Sequence, residues 1–139
     1  MAELGNFATD LLSYMKRLLI IEDDTDIREV LEVYFLGRGH ETCTVGCRDD
    51  AIIKLHERPN LDCIIMDWCM PGLTCIQFMK ELKALPFKGG VIMLSGGADA
   101  RQIARELGIP CFSQKPLDLE ALAEMVDNGD CSPRFDLCC

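Results

Sequence analysis

Three uninterrupted apolar runs, each of strand length and each ended by a polar residue, constrain this chain more than any other feature. They are Leu18-Leu19-Ile20-Ile21 before Glu22, Cys63-Ile64-Ile65-Met66 before Asp67, and Val91-Ile92-Met93-Leu94 before Ser95. A strand with one wet face alternates apolar and polar residues, so a continuous run marks a strand buried on both faces, as in a parallel sheet covered on both sides. Between the runs the period becomes helical. Ile27, Val30, Leu31, Tyr34 and Phe35 share one face and are closed by Gly37 and Gly39, and Ala51, Ile52 and Leu55 stop before Pro59. Further helical faces run from Ile76 to Leu85 before Pro86, from Ile103 to Leu107 before Gly108, and from Leu119 to Val126 before Gly129. Weaker strands fit 40–45 and 109–113. Five strands alternating with five helices predict right-handed crossovers, hence an α/β domain with one parallel sheet and helices on both faces. With 139 residues, 49% of them apolar, the chain has the size of one domain with a real core.

In such a sheet ligands bind at the carboxyl ends of the strands, which directs attention to the residues that end the runs. Glu22, Asp23 and Asp24 follow the first strand and Asp67 ends the third, so several carboxylates meet at one edge. Like charges brought together repel and raise one another's pKa. A hard divalent cation relieves this, and magnesium, which takes few protein ligands and keeps several waters, fits best. A competing reading makes Glu22 to Asp26 the acidic start of the next helix, with Thr25 or Asp26 as its N-cap. That reading serves Asp24 and Asp26 equally well, but it leaves Asp67 unexplained. Asp67 is followed by the turn Trp68-Cys69-Met70-Pro71-Gly72, Ser95 by Gly96-Gly97, and Lys115 stands before Pro116. A carboxylate nucleophile, a metal, a hydroxyl and an ammonium at one edge are the parts needed to take up a phosphoryl group.

From about Arg17 to Val126 the chain resembles the receiver domain of two-component response regulators. The matching pieces are Ile20-Ile21-Glu22-Asp23-Asp24, Ile65-Met66-Asp67-Trp68-Cys69-Met70-Pro71-Gly72, Leu94-Ser95-Gly96 and Gln114-Lys115-Pro116. Each is weak alone; four in order, each at the end of a predicted strand, are specific. The resemblance implies a doubly wound, flavodoxin-like sheet of order 2-1-3-4-5. It implies Asp67 as phosphoacceptor, Glu22, Asp23, Asp67 and the backbone carbonyl of Cys69 as Mg2+ ligands, Ser95 as switch hydroxyl and Lys115 as phosphate-binding lysine. It also implies a cis Lys115-Pro116 bond and a switch aromatic at Phe112, a position equally suited to a core residue. The implied protein is a phosphoacceptor in signalling rather than an enzyme, limited to self-catalysed phosphoryl transfer and autodephosphorylation. Its implied partners are a sensor histidine kinase or histidine phosphotransfer protein and a downstream protein, and it is a monomer or a weak phosphorylation-dependent dimer. The chain departs from the family pattern at Thr74-Cys75, where an acidic residue and a glycine are common. A pseudo-receiver working without phosphate is the main alternative. An aspartyl phosphohydrolase would need an acid where Cys69 stands, and in a flavin-binding module Glu22-Asp23-Asp24 would repel the flavin phosphate.

The formal charge of −9 argues against direct nucleic-acid or membrane-surface binding. No apolar run spans a bilayer and no signal peptide is evident, so a cytoplasmic location is expected. Nine cysteines without any C-x-x-C pair read as free thiols, with Cys43, Cys63 and Cys111 as small apolar residues on strands. Residues 1–15 form an extension with Leu4, Phe7, Leu11, Leu12 and Met15 at helical spacing, residues 16–127 form the receiver, and 128–139 read as a flexible cysteine-containing tail. With no output domain after Val126, the chain reads as a stand-alone receiver or a receiver cut from a longer chain, Met1 and the ends favouring the former.

Overall fold

In the computed structural model, which describes residues 14–70 and 72–138, the expected strands are β1 (Arg17–Ile21), β2 (Glu41–Val45), β3 (Cys63–Asp67), β4 (Gly90–Ser95) and β5 (Cys111–Gln114). All pair in parallel, in the order β2-β1-β3-β4-β5. The helices are α1 (Thr25–Gly37), α2 (Arg48–Glu57), α3 (Cys75–Lys83), α4 (Ala100–Glu106), α5 (Leu119–Asn128) and a short α6 (Phe135–Cys138).

The pleat explains why the strand sequences are apolar throughout. Leu18, Ile20, Ile65 and Ile92 turn to one face, where Leu31 and Phe35 of α1 and Leu122 of α5 cover them. Leu19, Ile21, Ile64 and Met93 turn to the other, under Leu55 of α2, Phe78 and Leu82 of α3 and Ala104 of α4. Each of the Leu, Ile, Phe and Met side chains contributes about 1.5–3 kcal/mol through burial. Because both faces are consumed in this way, polar chemistry is left to the strand ends.

The helix starts are set locally. Asp24 caps α1, its Oδ1 accepting from the amides of Asp26 at 2.9 Å and Ile27 at 3.1 Å, so the expectation of Thr25 or Asp26 as N-cap is corrected. Both of those residues lie inside the helix. Thr74, one of the departures from the family pattern, caps α3 in a capping box with Gln77.

Two readings of the cysteines and the tail change. Cys111 is not a free thiol but is joined to Cys131, with Cα atoms 5.3 Å apart. Nor are the described residues after α5 loose. The Val91 amide donates to Cys131 O at 2.8 Å, the Arg134 amide donates to Gly108 O at 2.6 Å, and Phe135 packs on the core. Gly108, with φ +71°, ends α4 and lies so close to this segment that a Cβ would fall 2.2 Å from Arg134 O. Sequence periodicity missed the docking because a single Phe and a single Cys anchor it. The helix expected over 1–15 falls outside the described residues except for Tyr14 and Met15. Among the described residues no helix is long and apolar enough to cross a membrane.

Candidate functional site

Register brings the strand-end residues together. Ile21 pairs with Met66, so Glu22 follows β1 beside Asp67; Asp67 pairs with Leu94; Ser95 pairs with Gln114, so Lys115 follows directly. The cluster sits where the chain turns from β1 to β2 on one side and resumes with β3 on the other, the position at which parallel sheets leave a crevice.

Glu22 and Asp67 are 0% and 3% exposed, while Asp23 is at the surface. One carboxylate oxygen from each of the three lies within 4.8 Å of the others. Lys115 Nζ is 3.2 Å from Asp67 Oδ2 and 3.5 Å from Glu22 Oε2. Burial pushes the Glu22 carboxyl up to about 7, with the charge of Asp67 adding to the rise. Burial works against the Lys115 ammonium, but the two carboxylates outweigh it and hold its pKa above the ordinary lysine value.

Asp67 is also gripped by its own turn, the Cys69 amide donating to Oδ1 at 3.1 Å. Ser95 is 1% exposed; its Oγ accepts from the Gly97 amide at 3.2 Å and its carbonyl accepts from the Lys115 amide at 2.7 Å. The Lys115-Pro116 bond is cis. Phe112 stands apart from the cluster, half-buried on β5, with the Arg101 guanidinium 5.6 Å above its ring. Of the expected site residues, Glu22, Asp23, Asp67 and Lys115 therefore meet directly, Cys69 and Ser95 join through the backbone, and Phe112 does not join.

The donor set suits magnesium. It consists of hard oxygens, and the buried Glu22 Oε2 has, among the described residues, no hydrogen-bond partner and only the Lys115 ammonium 3.5 Å away, which leaves it able to bind a cation directly.

One residue at this edge escaped the sequence reading. Arg48 is 1% exposed and its guanidinium donates to three main-chain oxygens, those of Asp67 at 2.9 Å, Trp68 at 2.5 Å and Leu73 at 2.8 Å. The available signal was its place as the first residue of α2, where the positive end of the helix dipole disfavours a cation.

The chain is similar to known proteins along most of its length. Residues 18–127 match the family model described as the response regulator receiver domain. The phosphate regulon transcriptional regulatory protein PhoB of Escherichia coli is 30% identical over 115 residues, which is 80% of this chain and 50% of PhoB. The chain thus spans about half the length of that relative. Sporulation initiation phosphotransferase F of Bacillus subtilis is 29% identical over 114 residues, 80% of this chain and 90% of that protein. Among solved structures, the Thermotoga maritima response regulator protein TrrA in complex with Mg2+-BeF superposes with a TM-score of 0.69 at 26% identity, over 81% of this chain and 96% of that one.

Proposed function

Because this chain belongs to the response regulator receiver domain family, we propose that it takes a phosphoryl group onto Asp67 from a phosphohistidine of a sensor histidine kinase or histidine phosphotransfer protein. Receiver domains are phosphoacceptor signalling domains rather than enzymes, and this chain is read in the same way. The observation that carries the reading is the convergence of Glu22, Asp23 and Asp67 within 4.8 Å, with Lys115 Nζ on Asp67 Oδ2.

Glu22, Asp23, Asp67 and the main-chain oxygen of Cys69 would hold magnesium, which when bound offsets the phosphoryl charge and orients its oxygens. Asp67 is the nucleophile: as its oxygen bonds to phosphorus, the phosphorus–nitrogen bond of the donor breaks and the imidazole leaves. Lys115 takes the charge of the transferred group, about −1.5 to −2 at neutral pH, and the Ser95 hydroxyl leaves the Gly97 amide for a phosphate oxygen. That movement pulls on the segment after β4 and rebiases the face of α4, β5 and α5, Phe112 included. Moving such an equilibrium from 1:99 to 99:1 takes about 5.5 kcal/mol of differential stabilisation. Water later cleaves the acyl phosphate. The output is phosphorylation-dependent partner binding or relay by a stand-alone receiver. The proposed setting is the cytoplasm, as a monomer or weak phosphorylation-dependent dimer, without direct contact to nucleic acid or membrane.

Incubation with magnesium and acetyl phosphate, followed by intact mass, tests this reading. A single phosphoryl adduct that is lost in Asp67→Ala is expected. An adduct that persists in Asp67→Ala would place the nucleophile elsewhere. No adduct in the folded wild type, with no response of Trp68 fluorescence to beryllofluoride, would make the chain a phosphate-independent interaction module.

A further inference from the structure

Arg48 is a buried cation that the phosphoacceptor reading leaves without a role. It opens α2 against the helix dipole, and its partners are three main-chain oxygens rather than a carboxylate. Its Nε is buried and has no hydrogen-bond partner among the described residues. A buried charge is unfavourable unless its surroundings compensate it, so a guanidinium spent on carbonyls of a single turn points to that turn as its purpose.

The three oxygens bracket Cys69. Those of Asp67 and Trp68 precede it and that of Leu73 follows, while the Cys69 amide is tied to Asp67 Oδ1 and the Trp68 amide to Leu94 O. The peptide planes on the amino side of Cys69 are therefore fixed, and Leu73 anchors the far end. A planar fork of donors sets the relative orientation of several acceptors, which an ammonium on a flexible stem does less well.

We propose, resting on the phosphoacceptor reading, that Arg48 is a positioning residue: by holding the main-chain oxygens of Asp67, Trp68 and Leu73 it sets the backbone on either side of Cys69 so that the Cys69 main-chain oxygen is presented to a divalent cation. Arg48 thereby sets the magnesium affinity of the site.

Calorimetric titration of the metal-free full chain with magnesium tests this, in the wild type, Arg48→Met and Arg48→Lys. Arg48→Met is expected to bind magnesium roughly tenfold or more weakly, the scale of losing hydrogen bonds from a charged donor. Arg48→Lys should recover part of the loss. In the metal-free protein the amides of residues 68–74 should exchange faster in Arg48→Met while those of β1 and β4 keep their protection. Unchanged magnesium affinity in folded Arg48→Met overturns the proposal. So does faster exchange spread evenly over the sheet with no recovery in Arg48→Lys, because that pattern is general destabilisation. Should Arg48→Met not fold, Arg48→Lys decides alone: weakened binding supports the brace and wild-type affinity refutes it. Failure of the underlying reading looks different, since the wild type itself would then take no phosphoryl group from acetyl phosphate.

Discussion

Lys115 Nζ stands 3.2 Å from Asp67 Oδ2, an ion pair that joins the end of β5 to the end of β3 across the intervening strand. The same ammonium is 3.5 Å from Glu22 Oε2, so one cation offsets two buried carboxylates.

Lys115→Ala should act in opposite directions on stability and metal binding. Without the ammonium the carboxylates repel unopposed, and the metal-free protein is expected to lose on the order of 1–3 kcal/mol, between the values for exposed and buried pairs. Magnesium, no longer competing with a fixed cation, should bind more tightly. Urea unfolding with and without magnesium measures both effects, and weaker magnesium binding in the variant would contradict this account of Lys115.

Asp23 and Asp24 are adjacent but are expected to separate cleanly. Asp24→Ala removes the α1 cap and should cost about 1 kcal/mol. Asp23→Ala, at an exposed position in the carboxylate cluster, should leave stability nearly unchanged and weaken magnesium binding. A reversed pattern in denaturation and calorimetry would exchange their roles.

His40 should give the fold an acid-sensitive component. Burial holds its pKa below the ordinary 6.5 although Asp127, 3.2 Å from Nε2, favours the charged form; Arg38 and Lys16 oppose it. Its Nδ1 accepts the Lys16 amide at 3.0 Å, which requires that nitrogen to be unprotonated. Since the folded pKa is depressed, the unfolded chain binds more protons, and this contribution is present above about 6.5 and declines as the pH falls through the folded value. Urea midpoints from pH 8 to pH 5 should fall more steeply in the wild type than in His40→Gln; parallel curves would remove His40 from the explanation.

The docked segment after α5 should report through its thiols and through Gly108. Alkylation of denatured protein is expected to label at least two more cysteines after reduction, from the Cys111–Cys131 bond. Gly108→Ala forces a Cβ against Arg134 O in a left-handed backbone and should lower stability by about 1–3 kcal/mol, with earlier proteolysis after Asn128. Equal labelling, or an unaffected Gly108→Ala, would argue against the docked arrangement.

The sequence by itself determined the sheet and the meeting of Glu22, Asp23, Asp67 and Lys115 at one edge of it. Apolar runs such as Cys63 to Met66, of strand length and alternating with helical stretches, read as strands buried on both faces, and parallel adjacent strands bring the carboxylates that end them, Glu22 and Asp67, together. Both are short-range patterns, a period and a terminator, that the chain states locally. Tertiary structure alone decided the rest. That Asp24 caps a helix while Asp23 faces the cluster depends on backbone direction after β1. The Cys111–Cys131 pairing and the seat of Phe135 need segments twenty or more residues apart to meet. Arg48 reaches the carbonyls of Asp67, Trp68 and Leu73 only because α2 starts beside the end of β3. Backbone carbonyls are the same in every sequence, so a side chain that bonds to them leaves no complementary residue to be read, and its role is visible only once the chain has folded.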